Sequence, residues 1–161
     1  MNDRLVDAIN VQISDEFSSA HLYLSMAAHC EYFLYLPGFA HWMRTQYEEE
    51  LSHGLRLFDY LISRQMKPVI LSVAAPRTNF GSPEELFVDV LENEENVTKL
   101  IHELYELAVK ENDYALQIEL QWFIIEQVEE EKSVSDVLES IRMIDGSKEG
   151  LLLIDRELAQ R

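Results

Sequence analysis

Sixteen residues from Lys67 to Ser82 hold Pro68, Pro76 and Gly81, and no other stretch of the chain is both so long and so poor in helical pattern. A connection of that length is uncommon inside a compact unit unless it has distance to cover. Extended, it reaches roughly 50 Å, whereas a helix of about 28 residues is roughly 42 Å long. The segment can therefore carry the chain from one end of a helical bundle to the other. The remaining breakers stand between long periodic runs, as short turns between helices do. Leu36-Pro37-Gly38 separates a first helix at about 3–34 from a second at about 38–66. Ser82-Pro83-Glu84-Glu85 supplies a capping serine, a proline at the first helical position and a glutamate three residues after the cap, so a third helix starts there. Asn112-Asp113 opens a fourth, and Asp145-Gly146 closes it with a favourable C-terminal glycine. These signals predict an all-α chain, one unit over residues 1–161, with a four-helix bundle at about 3–144 and a short fifth helix at about 147–159. Short turns make the first and second helices antiparallel, and likewise the third and fourth. The long crossover makes the second and third parallel.

Composition narrows the function. Thirty acidic residues against thirteen basic ones give a formal net charge of −17, which repels phosphate backbones and favours cations as partners. The opening MNDRLVDAIN has no apolar core of a signal peptide, and no apolar run matches a membrane span, so a soluble chain is expected. Cys30 is the only cysteine, which excludes an intrachain disulfide and suits a reducing, cytoplasmic setting.

The helices carry apolar stripes, and each stripe is interrupted. The first reads Val6, Ile9, Ile13, Glu16, Ala20, Tyr23, Ala27, Cys30, and the second Phe39, Met43, Gln46, Glu50, His53, Leu57, Tyr60. The third reads Phe87, Val90, Glu94, Val97, Ile101, Leu104, Ala108, and the fourth Leu116, Leu120, Phe123, Gln127, Glu130, Val134, Val137, Ile141, Ile144. Fourteen residues separate Glu16 from Cys30, and eleven to fourteen separate Phe39 from Glu50 and His53, so antiparallel packing brings these groups to one depth. The same count matches Glu94 to Gln127 and Glu130. Six polar side chains then share one layer of an apolar core. Carboxylates gathered there would be driven toward protonation unless something positive joined them. Four glutamates and one imidazole are hard donors suited to iron or manganese, and Glu50-x-x-His53 places both side chains on one helical face.

At these residues the chain resembles the ferritin family, most closely the bacterial non-haem members. The motifs are SDEFSSAHLYL around Glu16 and Tyr23, YEEELSH with Glu50 and His53, LENEEN with Glu94, QWFIIEQVEEEK with Gln127 and Glu130, and the closing GLLLIDRELAQ. The resemblance implies a ferritin-like bundle assembled as a homo-24-mer, in which Fe(II) is oxidised by dioxygen or peroxide and stored as ferric mineral. It implies that Glu16, Glu50 and His53 hold one iron and Glu94 and Glu130 a second, with Glu50 bridging and Gln127 hydrogen-bonding near the oxygen-binding face. Tyr23 matches a tyrosine that can supply an electron. Glu49, Glu126, Glu129 and Glu130 match a third iron site.

Departures from relatives sharpen the expectation. The bacterioferritin Glu-x-x-His pair of the fourth helix is replaced by Gln127 and Glu130, and the haem-binding methionine by Leu51, so no haem is expected. The acidic pore positions of animal ferritins correspond to Gln117 and Leu120. Leu51, Leu55, Phe58 and Ile62 form a second apolar stripe that suits a subunit interface or a wider core. Taken one by one, the site residues have ordinary readings: Glu16 or Glu94 as surface residues, His53 as a core histidine, Tyr23 as a packing aromatic, and Glu129-Glu130-Glu131 as a solvated run. A metal-buffering shell without catalysis, and a bacterioferritin-like or other diiron oxidase, including one acting on an organic substrate, remain as alternative functions.

Overall fold

A computed structural model describes residues 1–160 and contains five α-helices, with no strand among those residues. These are α1 (Asp3–His29), α2 (Pro37–Ser63), α3 (Pro83–Lys110), α4 (Tyr114–Met143) and α5 (Lys148–Leu158). Helix starts follow local chemistry. Asn2, Ser82, Asp113 and Ser147 each accept a backbone N–H of the first turn with their side chains, and Ser82 and Glu85 complete a reciprocal capping box. Glu85 is exposed, and its bond from the Ser82 N–H holds its carboxyl below the usual range.

The first helical segment covers the expected 3–34 but is not α-helical throughout. Its α-helical part ends at His29, and Cys30–Leu34 widens into a π turn closed by Tyr35 in the left-handed region (φ 57°) and by Leu36 N–H donating to the Cys30 carbonyl. The second helix ends at Ser63 instead of 66, because Gln65 turns left-handed (φ 56°).

Long-range hydrogen bonds give the topology. Asn2 and Arg4 reach Glu111, Ser19 meets Asn93 and Tyr23 meets Glu94, so α1 and α3 run antiparallel. Gln46 meets Glu130, Arg56 meets Glu119 and Arg64 meets Asp113, so α2 and α4 do the same. The crossover is pinned along α1. Asn10 Oδ1 accepts from Val69 N–H (2.9 Å), Ser25 Oγ donates to the Arg77 carbonyl (2.7 Å), and His29 Nε2 bonds the Gly81 carbonyl (2.9 Å). That path delivers the chain to the far end of the bundle, as its length predicts.

The apolar core comes in two parts. One packs Tyr23, Met26, Phe39, Trp42, Met43, Phe87, Val90 and Val134, and the other Leu5, Ile9, Ile13, Leu57, Val97, Ile101, Leu116 and Phe123. Toward the helix ends the buried face slips by one residue from the expected stripe. Leu5 is buried where Val6 was expected, Leu61 where Tyr60 was, and Leu138 where Val137 was. The slip follows from a true period of 3.6 against a heptad's 3.5. On the second stripe of α2, Phe58 packs onto the core while Leu55 and Ile62 stay exposed.

Helix α5 docks on the start of α2, where Leu36 offers no side-chain cap. Asp155 of α5 supplies it, its Oδ1 accepting the Phe39 N–H at 3.0 Å. The approach is close enough that a Cβ on Gly38 would lie 1.7 Å from the Asp155 carbonyl oxygen. Gly38→Ala should therefore push α5 off α2 and lower stability by about 1–3 kcal/mol. Asp155→Ala should lose only the cap, about 0.5–2 kcal/mol. Thermal melts of both variants check the order, and an unaltered melt for Gly38→Ala would contradict this docking.

Candidate metal centre

Between the two apolar parts lies a polar layer to which each of the four long helices contributes. Glu16 from α1, Glu50 and His53 from α2, Glu94 from α3, and Gln127 and Glu130 from α4 are all buried, none more than 4% exposed. Each sits on its helix's core-facing stripe, which is why the sequence pattern found them. His53 Nδ1 lies 3.6 Å from Glu50 Oε2 and 4.0 Å from Glu16 Oε2. Glu16, Glu50 and His53 can bring ligand atoms within 4.8 Å of one another, and so can His53, Glu126 and Glu130. The His53 ring is held against Trp122 and Phe123, with centroids 5.4 and 6.0 Å away.

Neutral donors surround the carboxylates. The Tyr23 hydroxyl donates to Glu94 Oε1, and Gln127 Nε2 donates to Glu94 Oε2 at 3.2 Å. Gln12 Nε2 donates to Glu16 Oε1 and Gln46 Nε2 to Glu130 Oε2, both at 2.8 Å. Gln12 lies off the apolar stripe of α1 and has no signal in the sequence pattern. Gln46 stands on the α2 stripe, one turn before Glu50, and that place was its one legible signal.

Electrostatics leave the layer short of positive charge. Burial, and then the neighbouring Glu50, push the Glu16 carboxyl well above its ordinary range. Burial and the charge of Glu94 do the same to Glu50. Burial also raises Glu94, against the lowering effect of its bonds from Tyr23 and Gln127. Tyr23 is pushed well up by burial and by the adjacent Glu94, so its hydroxyl keeps its proton. Five buried side-chain polar atoms among the described residues have no hydrogen-bond partner. Four of them, Glu16 Oε2, both oxygens of Glu50 and Gln46 Oε1, belong to this layer, the fifth being His29 Nδ1. Unpartnered carboxylate oxygens at that depth are the donor set a hard cation requires.

The acidic residues matched to a third site are placed unevenly. Glu126 and Glu49 are half-buried, and Glu126 reaches the His53 and Glu130 side of the layer. Glu129 is exposed and belongs to neither group of close ligand atoms found among the described residues. Gln117 is half-buried on α4 and Leu120 is fully buried, so Leu120 lines no surface of the subunit. No helix among the described residues is long and apolar enough to cross a membrane.

Comparison with known proteins agrees with this arrangement. The chain is 38% identical over 161 residues to a bacterial non-heme ferritin of Staphylococcus saprophyticus, covering 100% of this chain and 96% of that one. It is also 38% identical over 161 residues to one of Bacteroides fragilis, covering 100% and 99%. The crystal structure of an open-pore ferritin from the archaeon Archaeoglobus fulgidus superposes with a TM-score of 0.98 at 43% identity, covering 100% of this chain and 98% of that one. A version of the Archaeoglobus protein engineered to a closed form gives the same TM-score, identity and coverage. The model of the ferritin-like domain matches residues 6–144, all four long helices, and the chain belongs to the ferritin family.

Proposed function

We propose that this protein stores iron and is a ferroxidase, taking up Fe(II) at an intrasubunit centre for two ions, oxidising it with dioxygen or peroxide, and passing Fe(III) to a mineral held inside a shell of twenty-four subunits. The observation that carries the reading is the layer of four buried glutamates and one histidine with unpartnered acceptor atoms. Glu16, Glu50 and His53 hold one ferrous ion in this reading, and Glu94 and Glu130 the second, with Glu50 spanning both. Four carboxylates match the formal charge of two divalent cations. They favour Fe(III) over Fe(II), because a higher charge gains more from the same anionic oxygens in a site screened from water. The two ions give up two electrons, enough to reduce dioxygen to hydrogen peroxide with two protons, or peroxide to water.

Around them, Gln127 and Tyr23 hold Glu94 in place. In this reading Tyr23 gives a third electron where dioxygen is reduced beyond peroxide, its hydroxyl proton passing along the existing bond to Glu94. On the same reading Glu49, Glu126, Glu129 and Glu130 form a third, weaker iron site that shares Glu130 with the centre, and Glu126 comes within ligand reach of His53 and Glu130. The cytoplasm, where ferrous iron is kept reduced, is the compartment this chemistry fits, and the whole chain, residues 1–161, acts as one unit.

Anaerobic titration should bind two to three Fe(II) per subunit. After mixing with oxygen, stopped-flow absorbance should show a fast oxidation phase. Glu50→Ala combined with His53→Ala should slow that phase by more than the ~10–100-fold that loss of a supporting partner costs at a metal site. An unchanged fast phase would rule out this centre, and uptake without any fast phase in the parent protein would mean a buffering shell without catalysis.

The metal-free protein should show the cost of the site. Glu16 and Glu50 have folded-state pKa values raised above the unfolded value, so ionising them opposes folding, and the penalty grows as pH rises through that interval. At neutral pH, metal-free Glu16→Gln or Glu50→Gln should therefore be more stable than the parent by about 1 kcal/mol or more, a rise of ~2–4 °C in Tm. The advantage should shrink as pH falls toward the ordinary carboxyl range and reverse in sign when Fe(II) is added. Calorimetry across pH, with and without metal, checks both signs.

A further inference from the structure

Two buried amides have no place among the cation ligands, yet each is joined to one of them. Gln12 lies one turn before Glu16 on α1, is 3% exposed, and gives its Nε2 to Glu16 Oε1. Gln46 is fully buried, and its Nε2 crosses from α2 to Glu130 Oε2 on α4. Burying a primary amide costs free energy unless its polar atoms are matched. For Gln46 they are not, because Oε1 has no partner. An apolar side chain of the same length would suit the core better if packing were the only demand. The amides are therefore explained by what they do to the carboxylates.

Their effect is geometric and electrostatic. A carboxylate with one oxygen tied to a fixed donor loses rotational freedom. In Glu16 the tie leaves Oε2 without an amide or hydroxyl donor, 4.0 Å from His53 Nδ1 and beside the Glu50 carboxyl. Glu94 is fixed on both oxygens by Tyr23 and Gln127. Glu50 differs from the other three, since no amide or hydroxyl donor holds either of its oxygens, and its carboxyl bonds only with that of Glu16. A lysine or arginine could also fix a carboxylate, but its charge would repel an incoming cation and neutralise the ligand. An amide presents the positive end of a dipole with no net charge.

We propose that Gln12 and Gln46 are positioning residues of the metal centre, which lock the orientation of Glu16 and Glu130 and leave Glu50 as the one carboxylate able to turn between two cations. The inference rests on the two-cation reading given under the proposed function. It concerns which carboxylates are rigid, not which ones bind.

The test uses the intact, metal-free protein titrated anaerobically with Co(II), whose visible absorption reports ligand number and geometry without any turnover. The parent protein should bind two Co(II) per subunit. Gln12→Met and Gln46→Met, unbranched and close in length, should keep that capacity and the helical circular dichroism. Their dissociation constants should rise by about 10–100-fold for at least one ion. The visible band should also change shape and weaken as the freed carboxylate oxygen joins the coordination. A parent protein that fails to bind two Co(II) would overturn the two-cation reading itself. Two ions in the parent, with variants matching it within twofold and with an identical band, would leave that reading intact and overturn the positioning role. Should a methionine variant not fold, Gln12→Asn or Gln46→Asn keeps the amide but withdraws it by one methylene, and the same changes are expected. A position that tolerates neither change serves packing, and the proposal then fails there.

Discussion

The site depends on carboxylates that the fold buries and pairs with no basic side chain among the described residues. Glu16, Glu50 and Glu94 come from three separate helices, and burial raises the proton affinity of all three. Ordinary cores avoid this, since an isolated ionised group at such depth costs several kcal/mol and is normally paired. Here the nearest neighbours are amides, a phenol and an imidazole, and no lysine or arginine forms an ion pair with these glutamates among the described residues. The arginines make their pairs elsewhere: Arg56 with Glu119, Arg64 with Asp113 and Arg77 with Asp89. Keeping basic side chains away from the layer reserves its negative charge for cations that arrive from outside.

Such a layer is tolerable because of what lies on either side. Two apolar clusters close it off at both ends of the bundle, with Phe39, Trp42 and Phe87 on one side and Ile9, Leu57 and Phe123 on the other. Each buried aliphatic or aromatic side chain contributes roughly 1.5–3 kcal/mol, so together the clusters can offset the polar layer many times over. Burial also serves the chemistry, because water excluded from the layer cannot screen the attraction between carboxylates and a cation. The aromatic packing around His53 has a comparable role. With Trp122 and Phe123 edge-on to it, the imidazole has little room to turn away from Glu50.

The legible part of this molecule was whatever repeats along a helix or punctuates it. A glutamate inside an apolar stripe stands out against its neighbours, and four stripes broken at matched depth single out Glu16, Glu50, Glu94 and Glu130 in the sequence itself. Helix starts were legible for the same local reason, as the Ser82-Pro83-Glu84-Glu85 box shows. Features made by tertiary contact were not. Gln12 sits beside the stripe, and only its bond to Glu16 gives it meaning. Asp155 reads as an ordinary polar residue of a short helix until it is seen to cap α2. The π turn at Cys30–Leu34 was missed because Cys-Glu-Tyr-Phe-Leu continues a helical pattern, and the widening depends on how Tyr35 and Leu36 fold back to the Cys30 carbonyl.

Matched depth is also what the crossover provides. Shifting α3 by a single turn along the bundle moves Glu94 by about 5.4 Å, far enough to part it from Tyr23 and Gln127 and to leave a carboxylate buried with no donor at all. The register of the α1–α2 pair against the α3–α4 pair is therefore as important as the identity of the ligands. A flexible tether would not fix it. Three contacts at Asn10, Ser25 and His29 hold the crossover along α1, and Arg77 at its far end pairs with Asp89 on α3. The segment that looks least structured in the sequence thus carries the positional information for the most demanding site in the protein. Its polar anchors, spaced over most of α1, convert a length of chain into a fixed offset between two helical hairpins.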